Sequence, residues 1–304
     1  MAKLIEHLKA HLRATAHPWL LGWLVGLLGA GMFWRYGLGN DPFFRDDPYK
    51  PLWGGLFYTL PYLGTALIAA LVARKSAVFK QADFWLLSLL LIYVPFTNQF
   101  MLFYKDWLPN FPIPTQYFWR KLLFNLHTSF FYLIIPLLYW RFKDKGQKGF
   151  YGLTTKGFNP KPYWIMLGLM LPLLIWASFQ PAFLKTYPRY QPGVAEAFWD
   201  MSAWTTVGTY EGSYALQFVC LELFFRGFMV MALSRFLGSY AVYPMVAVYC
   251  FIHFAKPMPE ALGSIFGGYI LGVLALSSRS ILGGILIHIG VALGMELLAF
   301  LQLG

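Results

Sequence analysis

Apolar residues in this chain come in long unbroken stretches. Leu86–Val94 is continuous, where a membrane β-strand would alternate apolar and polar positions over about ten residues. Runs near the roughly 20 residues needed to cross a bilayer recur from end to end, which predicts helices and excludes a barrel. The opening Met1–Ala16 is basic, with Leu4, Leu8 and Leu12 four apart, the pattern of an amphipathic helix lying on a membrane surface. Trp19 to Trp34 is too long and aromatic for a signal-peptide core and reads as a retained first span. Further spans are expected over about 52–73, 84–104 (with Pro95 inside), 121–140, 163–180, 213–233, 240–254, 261–276 and 281 to the C-terminal end. The fold class is therefore all-α, a polytopic membrane protein with about eight or nine transmembrane helices. Four regions follow: a basic amphipathic segment (1–16), N-terminal transmembrane helices (17–180), a long connection (181–212) and C-terminal transmembrane helices (213–304). The connection, rich in aromatics and carrying Glu196 and Asp200, reads either as a lid over a membrane-embedded site or as an interfacial aromatic belt.

Composition sharpens this. Of 304 residues 58% are hydrophobic and only 12% charged, about half the charge of an ordinary soluble domain. The net charge of +11 lies mostly between the apolar runs. That is the mark of cytoplasmic loops facing anionic lipid rather than of a nucleic-acid groove, so no nucleic-acid partner is expected. The basic stretches fall on one side, which predicts a cytoplasmic N-terminus. Compact loops and the absence of organelle-targeting features point to a bacterial plasma membrane. Cys220 and Cys250 sit in apolar runs without metal-ligand or disulfide spacing. Asn125 and His127 read as interhelical hydrogen-bonding groups. Gly263/Gly267 and Gly268/Gly272 are small-residue spacings for close helix packing.

Three C-terminal runs carry ionisable groups away from their ends. Glu222 and Arg226 are four apart, on one helix face; His253 and His288 lie on the next helices but one from each other. Ionisable groups at membrane depth are costly and read first as functional. A carboxylate and two imidazoles in one shielded pocket suit hydrolysis, with Glu222 activating water and His253 and His288 stabilising the oxyanion. Arg226 supports the carboxylate. An internal ion pair and interfacial or structural histidines are the plainer alternatives for each group taken alone.

At these residues the chain resembles the CAAX prenyl protease and bacteriocin-processing family, also called Abi or Rce1-like. Leu221-Glu222-Leu223-Phe224-Phe225-Arg226-Gly227 resembles its Glu-Glu-x-x-x-Arg signature, and Tyr249-x-x-x-His253 its Phe-x-x-x-His motif. Gly268–Gly272 and Arg279-Ser280-Ile281 resemble the stretch before its third motif, which His288 opens. The likeness covers about Ser213–Leu298. It implies a glutamate-type intramembrane endopeptidase acting on a peptide or protein substrate, membrane-anchored ones among them, and needing no cofactor. Two positions depart from the pattern. Leu221 stands where the family has its first Glu, and Ala292 where it has the Asn of His-x-x-x-Asn. Glu296, one turn beyond, could supply a polar group in its place but reads first as an interfacial position. The second reading is a catalytically inactive member acting as a membrane binding, immunity or scaffold protein. A zinc site of Glu222, His253 and His288 is a weaker alternative, lacking His-Glu-x-x-His. A transporter would show internal repeats or paired broken helices, neither of which the sequence has.

Overall fold

The computed structural model describes residues 2–145, 149–156 and 158–303. Among these the regular structure is all helical: α1 (Ala2–Thr15), α2 (Pro18–Met32), α3 (Lys50–Val72), α4 (Ala82–Phe100), α5 (Gln116–Tyr139), α6 (Lys161–Ser178), α7 (Pro181–Leu184), α8 (Val194–Trp199), α9 (Ala203–Glu222), α10 (Leu233–Leu237), α11 (Val242–Ile252), α12 (Met258–Ser278) and α13 (Leu282–Leu303). Seven stretches of the described residues are long and apolar enough to cross a membrane. There are eight if α1 and α2, bent 105° to one another, count as one span. One of the seven, Ala203–Ala255, is a 53-residue stretch that holds two expected spans. Gly238 divides it at φ +61°, a left-handed conformation that a side chain would strain.

This divided stretch is the centre of the bundle. In it 89% of the most apolar window is buried, against 11% for α6 and 28% for α13. The outer helices turn Trp19, Val25, Leu169, Leu173 and Trp176 outward, as helices bathed in lipid do. Inside, α9 packs on α5 and α13, α11 on α12, and α13 on α6.

The bundle has two distinct ends. At one, His11 of α1 bonds the Ser239 carbonyl at 2.9 Å, Lys143 pairs with Asp83 at 2.9 Å, Arg235 pairs with Asp144, and Ile281 N–H donates to the Gly152 carbonyl at 2.9 Å. At the other, Arg35 donates to the Phe254 carbonyl at 2.7 Å, Tyr36 to the Lys256 carbonyl at 2.9 Å, and Arg189 N–H to Glu296 at 2.8 Å.

Most expected spans match these helices to within a few residues. The clear difference is α9, which starts at Ala203, ten residues before the expected Ser213. Its first turns hold Thr205, Gly208, Thr209, Glu211 and Gly212, so the apolar period is weak there. The Ser202 hydroxyl accepts the Trp204 N–H and starts the helix. The 181–202 connection is itself built from two short helices. The Glu196 carboxylate accepts from the Gly193 N–H, Tyr190 and Thr206, tying the loop to the start of α9.

Candidate active site

Helix α9 ends in a register change. From Leu223 to Ala232 the backbone is a π-helix, a wide form common at functional sites. Leu221 and Glu222 stand just before it and point different ways. Leu221 lines a cavity of about 230 Å³. Glu222 is fully buried and is not among the lining residues. One residue turns a helix by about 100°, so Glu222 does not take the place of the family's first Glu.

Glu222 instead holds other groups. His288 Nδ1–H donates to its Oε1 at 2.8 Å. Arg226 Nη1 lies 3.0 Å from the same oxygen, an ion contact without hydrogen-bond alignment, since Nη1 and Nε are left without hydrogen-bond partners. The guanidinium lies over the Tyr249 ring at 4.0 Å, a cation–π contact. The second carboxylate oxygen, Oε2, has no hydrogen bond and presses on the backbone of Gly284. A Cβ there would sit 2.2 Å from it, so only glycine lets α13 come this close.

Tyr249 joins the parts. Its hydroxyl donates to His288 Nε2 across 3.3 Å, and its carbonyl accepts His253 Nδ1–H at 2.7 Å. A carbonyl can only accept, so the His253 proton is on Nδ1. In the neutral rings these tautomers leave lone pairs rather than N–H groups on the two Nε2 atoms, unlike the expected pair of oxyanion donors. Both rings line the cavity. Phe218 packs against His288 with centroids 4.5 Å apart and the rings tilted by 30°, at the end of a run of rings from Tyr190 through Tyr210 and Tyr214.

The four residues picked out from the sequence thus belong to one connected network, with His253 linked through Tyr249 rather than directly to Glu222. The alternative zinc set does not form. Among the described residues no three His, Cys, Asp or Glu side chains converge to hold a metal ion, and the Nδ1 atoms of both histidines are occupied by hydrogen bonds.

Sequence reasoning missed several residues. Tyr249 was visible as the first position of Tyr-x-x-x-His, where the family pattern has an aromatic without a hydroxyl. Asn98 of α4 lines the cavity and is buried; it lies near Tyr132, yet neither amide atom has a hydrogen-bond partner. Arg189 and Lys256 also line it. Nothing local in the sequence joins Asn98 or Arg189 to the motifs, whereas Lys256 stands three residues past His253. Ala292 is buried, as is Glu296, which accepts the Arg189 N–H rather than facing an interface.

No curated protein and no solved structure matches the chain. Residues 203–294, which hold all three motifs, match the family model Type II CAAX prenyl endopeptidase Rce1-like.

Proposed function

We propose that the protein is an intramembrane endopeptidase in which His288, oriented by Glu222, is the general base. The observation that carries this reading is the Glu222–His288 hydrogen bond with the imidazole on the cavity wall and the carboxylate behind it. A carboxylate on Nδ1 fixes the tautomer, aims Nε2, and stabilises the imidazolium once a proton arrives. The Tyr249 hydroxyl turns away from His288 Nε2 to admit water, and that nitrogen then takes a proton from the water as its oxygen attacks the scissile carbonyl, returning it to the leaving amine as the C–N bond breaks. His253 Nε2 accepts the other hydrogen of that water and holds it in line. Asn98 offers an unpartnered amide N–H to the developing oxyanion, in place of the Asn that Ala292 replaces. Glu222 therefore acts through His288 and not directly on water. Arg226 keeps the buried carboxylate compensated.

Cleavage of membrane-protein-derived peptides by the purified protein in nanodiscs, followed by mass spectrometry, tests the reading. His288→Ala lowers kcat by at least about 100-fold, the usual loss for a general base. Full activity in that variant rejects the assignment. Chelator treatment leaves the rate unchanged, because no step uses a metal.

One observation favours the second reading, a member that binds without cleaving. Leu221 puts an apolar side chain on the cavity wall where the family has a carboxylate. Saturable peptide binding with no product from any peptide supports that alternative.

A further inference from the structure

We infer that the groove between the start of α2 and the end of α3 binds one anionic phospholipid, with its phosphate on Arg74 and an acyl chain against Trp23, Ile68 and Leu71. The groove holds about 930 Å³ and shares no lining residue with the cavity around His288. Trp23 makes one wall rigid. Its ring lies against the backbone of Gly64, where a Cβ would sit 2.5 Å away, and its Nε1–H donates to Thr65 Oγ1 at 3.1 Å. Gly22 opens the groove. Nothing in the protein lies within 4 Å of where its Cβ would be, so no packing contact calls for glycine there, and the missing side chain leaves the space free.

The groove lies at headgroup depth. α2 leaves α1 at 105°, and α1 is held on that end of the bundle by the bond from His11 to the Ser239 carbonyl at 2.9 Å and by the Thr15 and Tyr243 hydroxyls, 2.8 Å apart. The start of α2 therefore marks the membrane interface, and Trp19 there is 78% exposed, as the aromatics of an interfacial belt are. From His17 to Trp23 the helix rises about 9 Å, so the groove runs from the interface into the outer acyl layer. Its polar groups sit at the interfacial end. Arg74 follows the last turn of α3 and forms no ion pair among the described residues, and His17 Nδ1 has no hydrogen-bond partner. No Asp or Glu lines the groove. A guanidinium fork takes two phosphate oxygens, and the apolar walls below it take methylenes. A soluble anion would use the cation and leave the walls bare; a helix of another protein would use the walls and not the cation. A phospholipid uses both.

The full-length protein, delipidated in detergent, is mixed with equal amounts of phosphatidylglycerol and phosphatidylcholine carrying the same acyl chains, and retained lipid is counted by native mass spectrometry. One phosphatidylglycerol per chain is expected, favoured about fivefold over phosphatidylcholine, the effect of one basic side chain at an anionic headgroup. Arg74→Gln removes the preference. Arg141→Gln, at the same end of the bundle but outside the groove, keeps it. Gly22→Leu fills the groove from a position with no neighbours and lowers retention of both lipids at least about fivefold, with thermal unfolding of the lipid-free protein unchanged. Equal retention of the two lipids by the wild type overturns the inference. So does an Arg141→Gln variant that loses as much preference as Arg74→Gln, since the charge of the whole basic end is then responsible. Retention that survives Gly22→Leu moves the lipid elsewhere, and displacement by millimolar inorganic phosphate leaves an anion site without a chain; either result overturns it. A wild-type dimer that Gly22→Leu dissociates puts a second copy in the groove and overturns it too. None of these outcomes depends on whether the protein cleaves peptides.

Discussion

At the residue scale, Glu222 and Arg226 form an ion pair at 3.0 Å, sealed in the centre of the bundle with His288 on the same carboxylate oxygen. Glu222, Arg226, His253 and His288 stand out because charge is rare in apolar runs. Whether Glu222 meets water or a histidine depends on rotation about the axis of α9 and on the π-helix after it, which no composition signal marks. Arg226 is 1% exposed, and removing it strands the Glu222 charge. Arg226→Ala is expected to destabilise the protein by about 3–5 kcal/mol, read by reversible unfolding in detergent. A milder change probes the backbone contact. Gly284→Ala puts a methyl 2.2 Å from Glu222 Oε2, so the carboxylate must move off His288. Proteolysis is expected to fall at least tenfold, a cost typical of small misplacements in an active site; wild-type kcat in Gly284→Ala shows that the contact does not position the carboxylate.

At the scale of elements, long apolar helices such as α3 and α13 are legible because a continuous run has few other ways to satisfy its backbone in lipid. The start of α9 and the 181–202 connection are not, since their order comes from side-chain hydrogen bonds made in the fold. Glu196 is the knot. Burial raises its carboxyl, but hydrogen bonds from Thr206, Tyr190 and the Gly193 N–H outweigh this and hold it below its ordinary value of about 4.5. A depressed folded-state value means that Glu196 adds stability above about pH 4.5 and loses it as pH falls through the folded value. The difference in thermal unfolding between wild type and Glu196→Gln should therefore be constant near neutral pH and shrink below about pH 4.5. A difference that grows on acidification contradicts the assigned role.

At the scale of the molecule, the site lies near the end of the bundle that carries the 38–49, 101–115 and 179–202 connections, since the cavity reaches Phe43, Leu102 and Arg189. The opposite end carries Arg74, Lys75, Arg141, Lys143, Arg235 and Arg279. By the positive-inside rule that end is expected to face the cytoplasm, which would open the cavity toward the other side of the membrane. Both native cysteines are buried, which leaves the background low for thiol labelling in intact cells. An impermeant maleimide is expected to label Asp46→Cys and to spare Lys143→Cys; the reverse pattern inverts the topology.

In the proposed reaction Glu222 works through His288. The most direct measurement is kcat/KM for peptide cleavage in wild type, Glu222→Gln, His288→Ala and the double variant. Both single variants are expected to lose at least about 100-fold, and the double variant little more than either alone, because the two residues act as one unit. Losses that multiply in the double variant, or full activity in Glu222→Gln, contradict it.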